Sequence, residues 1–185
     1  MPPLVRVFED ADFPALLNCQ AVSFMRVEWP FVFSGENRLG NATYPAASKP
    51  VHFTITENDI LISYAAVMRV ELRHAGEDYQ VAGFGNVFTY PAFRGEGFGR
   101  QVVDKATHYI LASDADVAML FCNPKLEAFY AASGWELLAG ASTRIGSPDN
   151  YTVDPDLRMM LFVSSKGKQG RQAFAEQPLY IEAPW

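Results

Sequence analysis

The sequence is poor in cysteine, in positive charge and in long apolar runs. Its two cysteines, Cys19 and Cys122, lie far apart and outside any CxxC spacing, so they are predicted to be reduced thiols. The 15 Lys and Arg residues are outnumbered by 21 Asp and Glu, and the net charge of −6 argues against nucleic-acid binding. No apolar run predicts a membrane span, and no basic start followed by an apolar stretch indicates a secretory signal. We therefore expect a cytoplasmic protein that binds neither nucleic acid nor membrane.

The remaining composition is typical of a globular protein. Of the 185 residues, 49% are hydrophobic and 14% are aromatic, which predicts a substantial core. The apolar spacing indicates a strand, a helix, several antiparallel strands and then a strand–helix–strand unit. It predicts a tight turn at END, residues 57–59, an amphipathic helix with Val102, Val103 and Ala106 on its apolar face, and a buried strand at DVAMLFC, residues 116–122. This order predicts one domain over residues 1–185 with a mixed α/β sheet. The stretch SGENRLGNATYPAASKP, residues 34–50, predicts a long loop that is a lid or binding element, or else mobile.

The stretch YPAFRGEGFGRQ, residues 90–101, places Gly95, Gly97 and Gly99 at the start of a predicted helix. Glycine there costs about 1 kcal/mol relative to alanine, so contact with a ligand is expected to offset the cost. The first N–H groups of a helix attract anions, and missing side chains let a pyrophosphate approach the backbone. No Lys-Ser or Lys-Thr follows the last glycine, which excludes a P-loop, and an arginine stands where a dinucleotide fingerprint needs its third glycine. The pattern that remains is Arg-x-x-Gly-x-Gly, from Arg94 to Gly99.

Two motifs carry a resemblance to a known family. VFTYPAFRGEGFGRQVV, which begins at Val87, closely resembles the acyl-coenzyme A binding motif of the GNAT superfamily of N-acetyltransferases. NPKLEAFYAASGWEL resembles the second signature of that superfamily, whose positions here are Asn123, Tyr130, Gly134 and Trp135. A weaker similarity connects the chain to the aminoglycoside 2′-N-acetyltransferase branch. That branch has a glutamate and an aspartate where this chain has Gly85 and Ala183.

The resemblance implies a GNAT-like fold, which is a single α/β domain with a mixed, mostly antiparallel sheet and one parallel pair of strands splayed around acyl-coenzyme A. It places the acyl-coenzyme A motif at about 87–112, the second motif at about 117–135, and a C-terminal strand and tail at 157–185. Acetyl-coenzyme A is the implied cosubstrate, with no metal. The implied cofactor contacts are the backbone of Val87, Phe88 and Thr89 for pantetheine, the amides of Arg94, Gly95, Glu96, Gly97, Phe98, Gly99 and Arg100 for pyrophosphate, and Asn123 for the cofactor or the helix of Tyr130.

The resemblance also implies direct attack of an amine on the thioester, with Tyr130 as the general acid for the departing thiolate. The alternative for this residue is a packed aromatic side chain. An alkyl amine, with a pKa of about 10.4, must lose a proton, but the glutamate of the related branch is absent. Glu71 is one candidate base, and Glu182 and the terminal carboxylate of Trp185 are others. Cys122 is expected either near the thioester or as a small buried residue.

The expected function is transfer of an acetyl group to a primary amine of a small, cationic acceptor, which the negative net charge favours. The alternatives are acetylation of protein or peptide amines and a non-catalytic acyl-coenzyme A sensor. His52, His74 and His108 are scattered singly and are interpreted as ordinary packed or surface residues. In the tail, the basic stretch 166–171 is expected to be an exposed loop. The aromatic end is expected to pack back on the fold, beside the acceptor cleft or at a homodimer contact.

Overall fold

The computed structural model describes residues 4–138, 140 and 142–185. Its elements confirm the α/β class. In chain order they are β1 (Arg6–Glu9), α1 (Ala15–Glu28), β2 (Val51–Glu57), β3 (Ile60–His74), β4 (Glu77–Thr89), α2 (Phe98–Leu111), β5 (Val117–Cys122), α3 (Glu127–Ala131), β6 (Glu136–Leu137), β7 (Thr143–Ser147), β8 (Asn150–Val153), β9 (Leu157–Phe162), α4 (Ser165–Glu176) and β10 (Leu179–Ile181).

The chain forms two compact units. The first unit contains Met1–Met68 and Asn86–Ala106, and the second contains Arg69–Gly85 and Thr107–Trp185. Because β3, β4 and α2 each run across a boundary between these ranges, the two units share continuous elements. The single domain expected from the sequence stays a prediction.

In the first unit, the strands follow the order β1-β2-β3-β4, and β2 pairs with both β1 and β3 in antiparallel register. Asn58 and Asp59, at φ 47° and 66°, form the tight turn that the sequence predicted between β2 and β3. Helix α1 places apolar residues at four-residue spacing, and these pack against β3 and β4. The buried members of this core are Leu17, Ala21, Met25, Leu61, Tyr64, Ala66 and Phe88.

In the second unit, the strands follow the order β3-β4-β5-β9-β6, and a small sheet has the order β10-β7-β8. Strand β5 is central, because it pairs with β4 in parallel and with β9 in antiparallel register. Its nearly continuous apolar sequence is explained by burial on both faces. The core on one side of this sheet includes Val81, Val117, Met119, Met160 and Phe174.

The basic stretch 166–171 is helical, so the expectation of an exposed loop there is wrong. Ser164 caps helix α4, because its hydroxyl accepts a hydrogen bond from the Gly167 amide at 3.0 Å. A Cβ on Gly167 would lie 1.9 Å from the Asp116 carbonyl oxygen, which shows how closely the helix packs on the chain before β5. Phe174 is fully buried in the core of the second unit. Packing of one aromatic residue and one glycine therefore stabilises a helix whose polar sequence resembles a loop.

No helix within the described residues is long and apolar enough to cross a membrane.

Candidate active site

The glycine-rich stretch adopts a backbone conformation that explains two of its glycines. Gly95 and Gly97 have φ angles of 89° and 84°, in the left-handed region that favours glycine. A Cβ on either residue would have no described protein atom within 4 Å, so the space beside this backbone is open to a ligand. Helix α2 begins immediately afterwards, at Phe98. The arrangement matches the geometry required for close approach of an anion to a helix start.

The start of α2 presents donors that the helix itself does not use. The Gln101 amide donates to the Gly97 carbonyl at 3.2 Å, which is the first helical hydrogen bond. The amides of Gly95 to Gly99 precede this bond, and the first N–H groups of a helix have no acceptor within it. The Arg94 amide donates to the Pro91 carbonyl at 3.3 Å. Arg94 Nε donates to the Thr89 carbonyl at 3.0 Å, so this exposed side chain fastens the loop to the end of β4. Arg100 Nη1 lies 3.7 Å from Asp104 Oδ1, which partly balances its charge.

Hydrogen bonds at the end of β4 show which of its backbone groups face β3 and which face the opposite edge. The Tyr90 amide donates to the Ile62 carbonyl at 2.9 Å, and Ser63 Oγ donates to the Phe88 carbonyl at 2.9 Å. The backbone groups of Phe88, and of Tyr90 directly after β4, therefore face β3. Because backbone groups alternate along an antiparallel strand, Val87 and Thr89 turn theirs toward the opposite edge. Phe88 is 5% exposed and its side chain belongs to the core. Of the three residues expected at pantetheine, Val87 and Thr89 are thus the better placed for added pairing.

In the second unit, β4 and β5 pair only over a short length. Their parallel register covers Val81–Gly83 opposite Val117–Met119, whereas β5 continues to Cys122 and stays paired with β9 to its end. The β4-facing edge of β5 beyond Met119 is therefore not part of that parallel register. This is the splayed parallel pair that the resemblance implies.

Tyr130 lies on α3 in an aromatic setting. It is 6% exposed, and its ring meets that of Phe84 edge-on at 6.4 Å between centroids. Burial raises the pKa of the Tyr130 phenol above its usual value, with a smaller contribution from the nearby Cys122 thiol. Because its pKa is raised, the Tyr130 phenol stays protonated across the physiological range. Next to it, Trp135 stacks on Phe84 at 5.5 Å between ring centroids and donates its indole hydrogen to Thr107 Oγ1 at 3.0 Å.

Asn123 precedes the short helix that carries Tyr130. Its side-chain oxygen accepts a hydrogen bond from the Lys125 amide at 3.1 Å, which caps the turn at Pro124–Leu126. Gly134, at φ 90°, ends the same segment. Of the two roles expected for Asn123, this contact supports the one of holding the helix of Tyr130.

The three candidate bases all belong to the second unit. Glu71 is exposed on β3. Arg69 and Arg73, two residues before and two residues after it, lie on the same face of the strand. Glu182 is exposed just after β10. The Trp185 indole donates to the Met119 carbonyl at 3.2 Å and meets the Phe121 ring edge-on at 5.0 Å. The aromatic end of the tail therefore packs back on β5, as predicted, at the residue where its pairing with β4 ends.

Within the described residues, no three His, Cys, Asp or Glu side chains come together in a way that could hold a metal ion.

The two thiols are expected to differ strongly in reactivity. Cys122 is 4% exposed at the end of β5, and burial raises its pKa to about 11, whereas Cys19 is exposed. At pH 8, about one Cys122 side chain in a thousand is a thiolate, and the thiolate is the nucleophile. Titration of the folded protein with a chromogenic disulfide reagent should therefore show one fast thiol, and the Cys19→Ser variant should show none. Two fast thiols in the native protein would contradict the assignment of Cys122 as a small buried residue.

Comparisons with known proteins agree with the motifs. Residues 5–138 match the acetyltransferase (GNAT) domain family. No curated protein matches the sequence significantly. Many solved structures share the fold.

Three of these structures illustrate the range. YhbS from Escherichia coli, a GNAT family N-acetyltransferase in complex with CoA, is 16% identical, with a TM-score of 0.59 over 97% of this chain and 91% of that one. An aminoglycoside 6′-N-acetyltransferase complexed with coenzyme A is 10% identical, with a TM-score of 0.61 over 87% of this chain and 97% of that one. A conserved protein of Enterococcus faecalis V583, described as a probable N-acyltransferase, is 17% identical with a TM-score of 0.56; the match covers 72% of this chain but spans only 33% of that one. At these identities the likeness extends to the fold alone.

Proposed function

Since the chain belongs to the acetyltransferase (GNAT) domain family, we propose that it transfers the acetyl group of acetyl-coenzyme A to a primary amine of a small, cationic acceptor. The observation that carries the proposal is the pair of left-handed glycines, Gly95 and Gly97, beside open space at the start of α2. The net charge of −6 supports a cationic acceptor, because the summed field attracts cations to the protein.

The residues present fit acetyl-coenzyme A. The amides from Arg94 to Arg100 would hold the pyrophosphate, because they precede or open a helix whose dipole favours negative charge. Val87 and Thr89 would pair with the amides of pantetheine along the edge of β4 that faces away from β3. Acetyl-coenzyme A supplies an activated acyl group, and the chain's residues orient it.

Tyr130 would donate a proton to the developing thiolate. The sulfur of coenzyme A resembles a cysteine thiolate, with a pKa near about 8.5, so a nearby acid speeds its departure. The pKa of Tyr130 is raised by burial, which keeps the phenol protonated and available as a donor. The attacking amine must be neutral, and Glu71, Glu182 and the terminal carboxylate of Trp185 remain the proposed acceptors of its proton.

A screen for thiol release tests this function. The protein, acetyl-coenzyme A and a thiol-detecting reagent would be combined with aminoglycosides, polyamines, amino acids and peptides in turn. We expect amine-dependent release of free coenzyme A with small polycationic amines, confirmed by a mass gain of one acetyl group on the acceptor. Turnover confined to peptides would favour the alternative of a protein or peptide acetyltransferase. Binding of acetyl-coenzyme A without release for any amine would favour the sensor.

A further inference from the structure

A row of hydrogen-bonded side chains crosses the core of the first unit. His52 Nε2 lies 3.3 Å from Asp10 Oδ1, and His52 Nδ1 lies 2.8 Å from the Tyr64 hydroxyl. The Tyr64 hydroxyl oxygen in turn lies 2.9 Å from Thr43 Oγ1. His52, Tyr64 and Thr43 are 1%, 0% and 6% exposed, whereas the Asp10 side chain is 39% exposed. The row therefore connects the solvent-accessible carboxylate of Asp10 to the buried hydroxyl of Thr43.

The residues around His52 exclude water from the middle of this row. The Phe13 ring stacks on the imidazole at 4.0 Å between centroids, with 8° between the ring planes. Tyr64 belongs to the apolar core and also lies 5.4 Å from the Phe88 ring. Because polar groups in such a core are costly unless each has a partner, the hydrogen bonds that join the three buried members to one another and to Asp10 offset the cost of burying them.

The inner end of the row meets the strand proposed to bind pantetheine. Asn86 Nδ2 donates to the Thr43 carbonyl at 3.1 Å. Asn86 lies in β4 at φ 53°, a left-handed conformation that is rare for a residue with a side chain and common at functional sites. The next residue is Val87, and the pyrophosphate loop follows farther along the chain. The pyrophosphate loop follows the proposed pantetheine segment, so the thioester at the other end of pantetheine is expected near the start of that segment. Thr43 is held at this start by its contact with Asn86.

We propose that Thr43, Tyr64, His52 and Asp10 form a relay that carries a proton from the acceptor amine to solvent. This inference rests on the proposed function, and it names groups for the role that the absent glutamate leaves open.

The relay moves one proton without leaving a charge on a hydroxyl. Before transfer, Thr43 donates to Tyr64, Tyr64 donates to His52 Nδ1, and His52 Nε2–H donates to Asp10. A proton from the amine, passed directly or through one water molecule, bonds to Thr43 Oγ1. The original Thr43 proton moves to the Tyr64 oxygen. The original Tyr64 proton moves to His52 Nδ1, where it forms the second N–H bond of an imidazolium. Tyr64 then donates to Thr43.

The acceptor arrives as an ammonium, and the relay takes its first proton. The electron pair left on the nitrogen forms the new C–N bond, and the C–S pair leaves with the sulfur, which takes a proton from Tyr130. The second proton lost by the nitrogen restores the Tyr130 phenol, so one turnover yields the amide, free coenzyme A and one proton delivered to the relay. His52 finally releases its proton to water through the exposed carboxylate of Asp10.

The charges around His52 suit a proton acceptor. Burial lowers the pKa of His52, although the neighbouring Asp10 carboxylate opposes that shift, so the ring is neutral and free to accept a proton at pH 7. Burial raises the pKa of Tyr64, which keeps its hydroxyl neutral as a relay requires. The groups that face His52 are Asp10 on the chain before α1 and Tyr64 on β3, while Arg6 of β1 stacks over Phe8, the residue paired with His52.

The test compares Thr43→Val with Thr43→Ser, because the pair differs in the hydroxyl while both keep the backbone carbonyl that Asn86 contacts. With an amine from the screen, kcat of Thr43→Val at pH 7 should fall about ten-fold or more, while KM for acetyl-coenzyme A and the melting temperature stay close to those of the unaltered protein. Thr43→Ser should retain most of the activity. Tyr64→Phe, which interrupts the row at its second member, should reproduce the loss.

The pH profile separates a relay from a structural role. As pH rises toward the pKa of the amine, about 10.4, more acceptor arrives neutral, so the deficit of Thr43→Val should shrink. A lowered His52 pKa means that the unaltered protein should keep its rate until pH falls below about 6.5. Equal rates for Thr43→Val and Thr43→Ser, or a deficit that does not change with pH, would overturn the relay alone. Absence of thiol release by the unaltered protein with every amine would overturn both the relay and the proposed function.

Discussion

Replacement of Gly97 by valine is expected to abolish binding of acetyl-coenzyme A. At φ 84°, a β-branched residue is strained by about 1–3 kcal/mol, and its methyl groups would fill the open space beside the loop. The pyrophosphate would then lose its approach to the amides that open α2. We expect Kd to rise by about 100-fold or more, equivalent to roughly 2.7 kcal/mol, as measured by calorimetry on the purified variant.

Gly76 provides a matched control for backbone strain. It has φ 85° in the turn between β3 and β4, and a Cβ there would also have no described protein atom within 4 Å. Gly76→Val should therefore lose similar stability in thermal denaturation yet retain acetyl-coenzyme A affinity. If Gly97→Val binds as tightly as Gly76→Val, the anion site at the start of α2 is wrong.

Removal of the Tyr130 hydroxyl should mainly affect turnover. In Tyr130→Phe the ring keeps its contacts with Phe84 and Phe129, while the proton donor is lost. We expect kcat for amine acetylation to fall about 100-fold, within the range typical of general acids, with acetyl-coenzyme A affinity nearly intact. Steady-state kinetics together with calorimetry separate these two quantities.

The pH dependence gives a second readout for Tyr130. Its pKa is raised by burial, so the proton is present at low pH and is lost only above the ordinary tyrosine value of about 10. The rate of the unaltered protein should therefore show no loss from this group up to about pH 9. Tyr79→Phe is the matched control, because Tyr79 is also a buried tyrosine of the second unit at 3% exposure. A Tyr130→Phe variant as active as Tyr79→Phe would remove Tyr130 from the mechanism.

Local sequence patterns predicted the elements that depend on neighbouring residues. The glycines before Phe98, the apolar spacing of Val102, Val103 and Ala106, and the buried strand at Val117–Cys122 all appear where expected. The tight turn at Asn58 and Asp59 is also present. In each case the cause is short-range: backbone sterics, helical periodicity or a turn that few residue types can adopt.

Other features could not be predicted because distant contacts decide them. Helix α4 has a polar, glycine-containing sequence, and burial of Phe174 stabilises it. Strands β7, β8 and β10 are short, so their pairing rather than their composition defines them. The sequence predicts an ordinary residue at His52, because the three histidines are scattered singly with no metal-ligand spacing. Its partner Asp10 is 42 residues away, and the Thr43–Asn86 contact spans 43.

The amino-acid sequence by itself determined the family and the glycine loop, because both depend on residue types at fixed short spacings. Tertiary structure alone decided which edge of β4 is turned away from β3, how deeply Tyr130 is buried, and that four polar side chains from separate segments form one row. The physical reason is that hydrogen bonding and desolvation act through space. Residues far apart in the chain acquire a shared chemistry only when the fold removes water from between them.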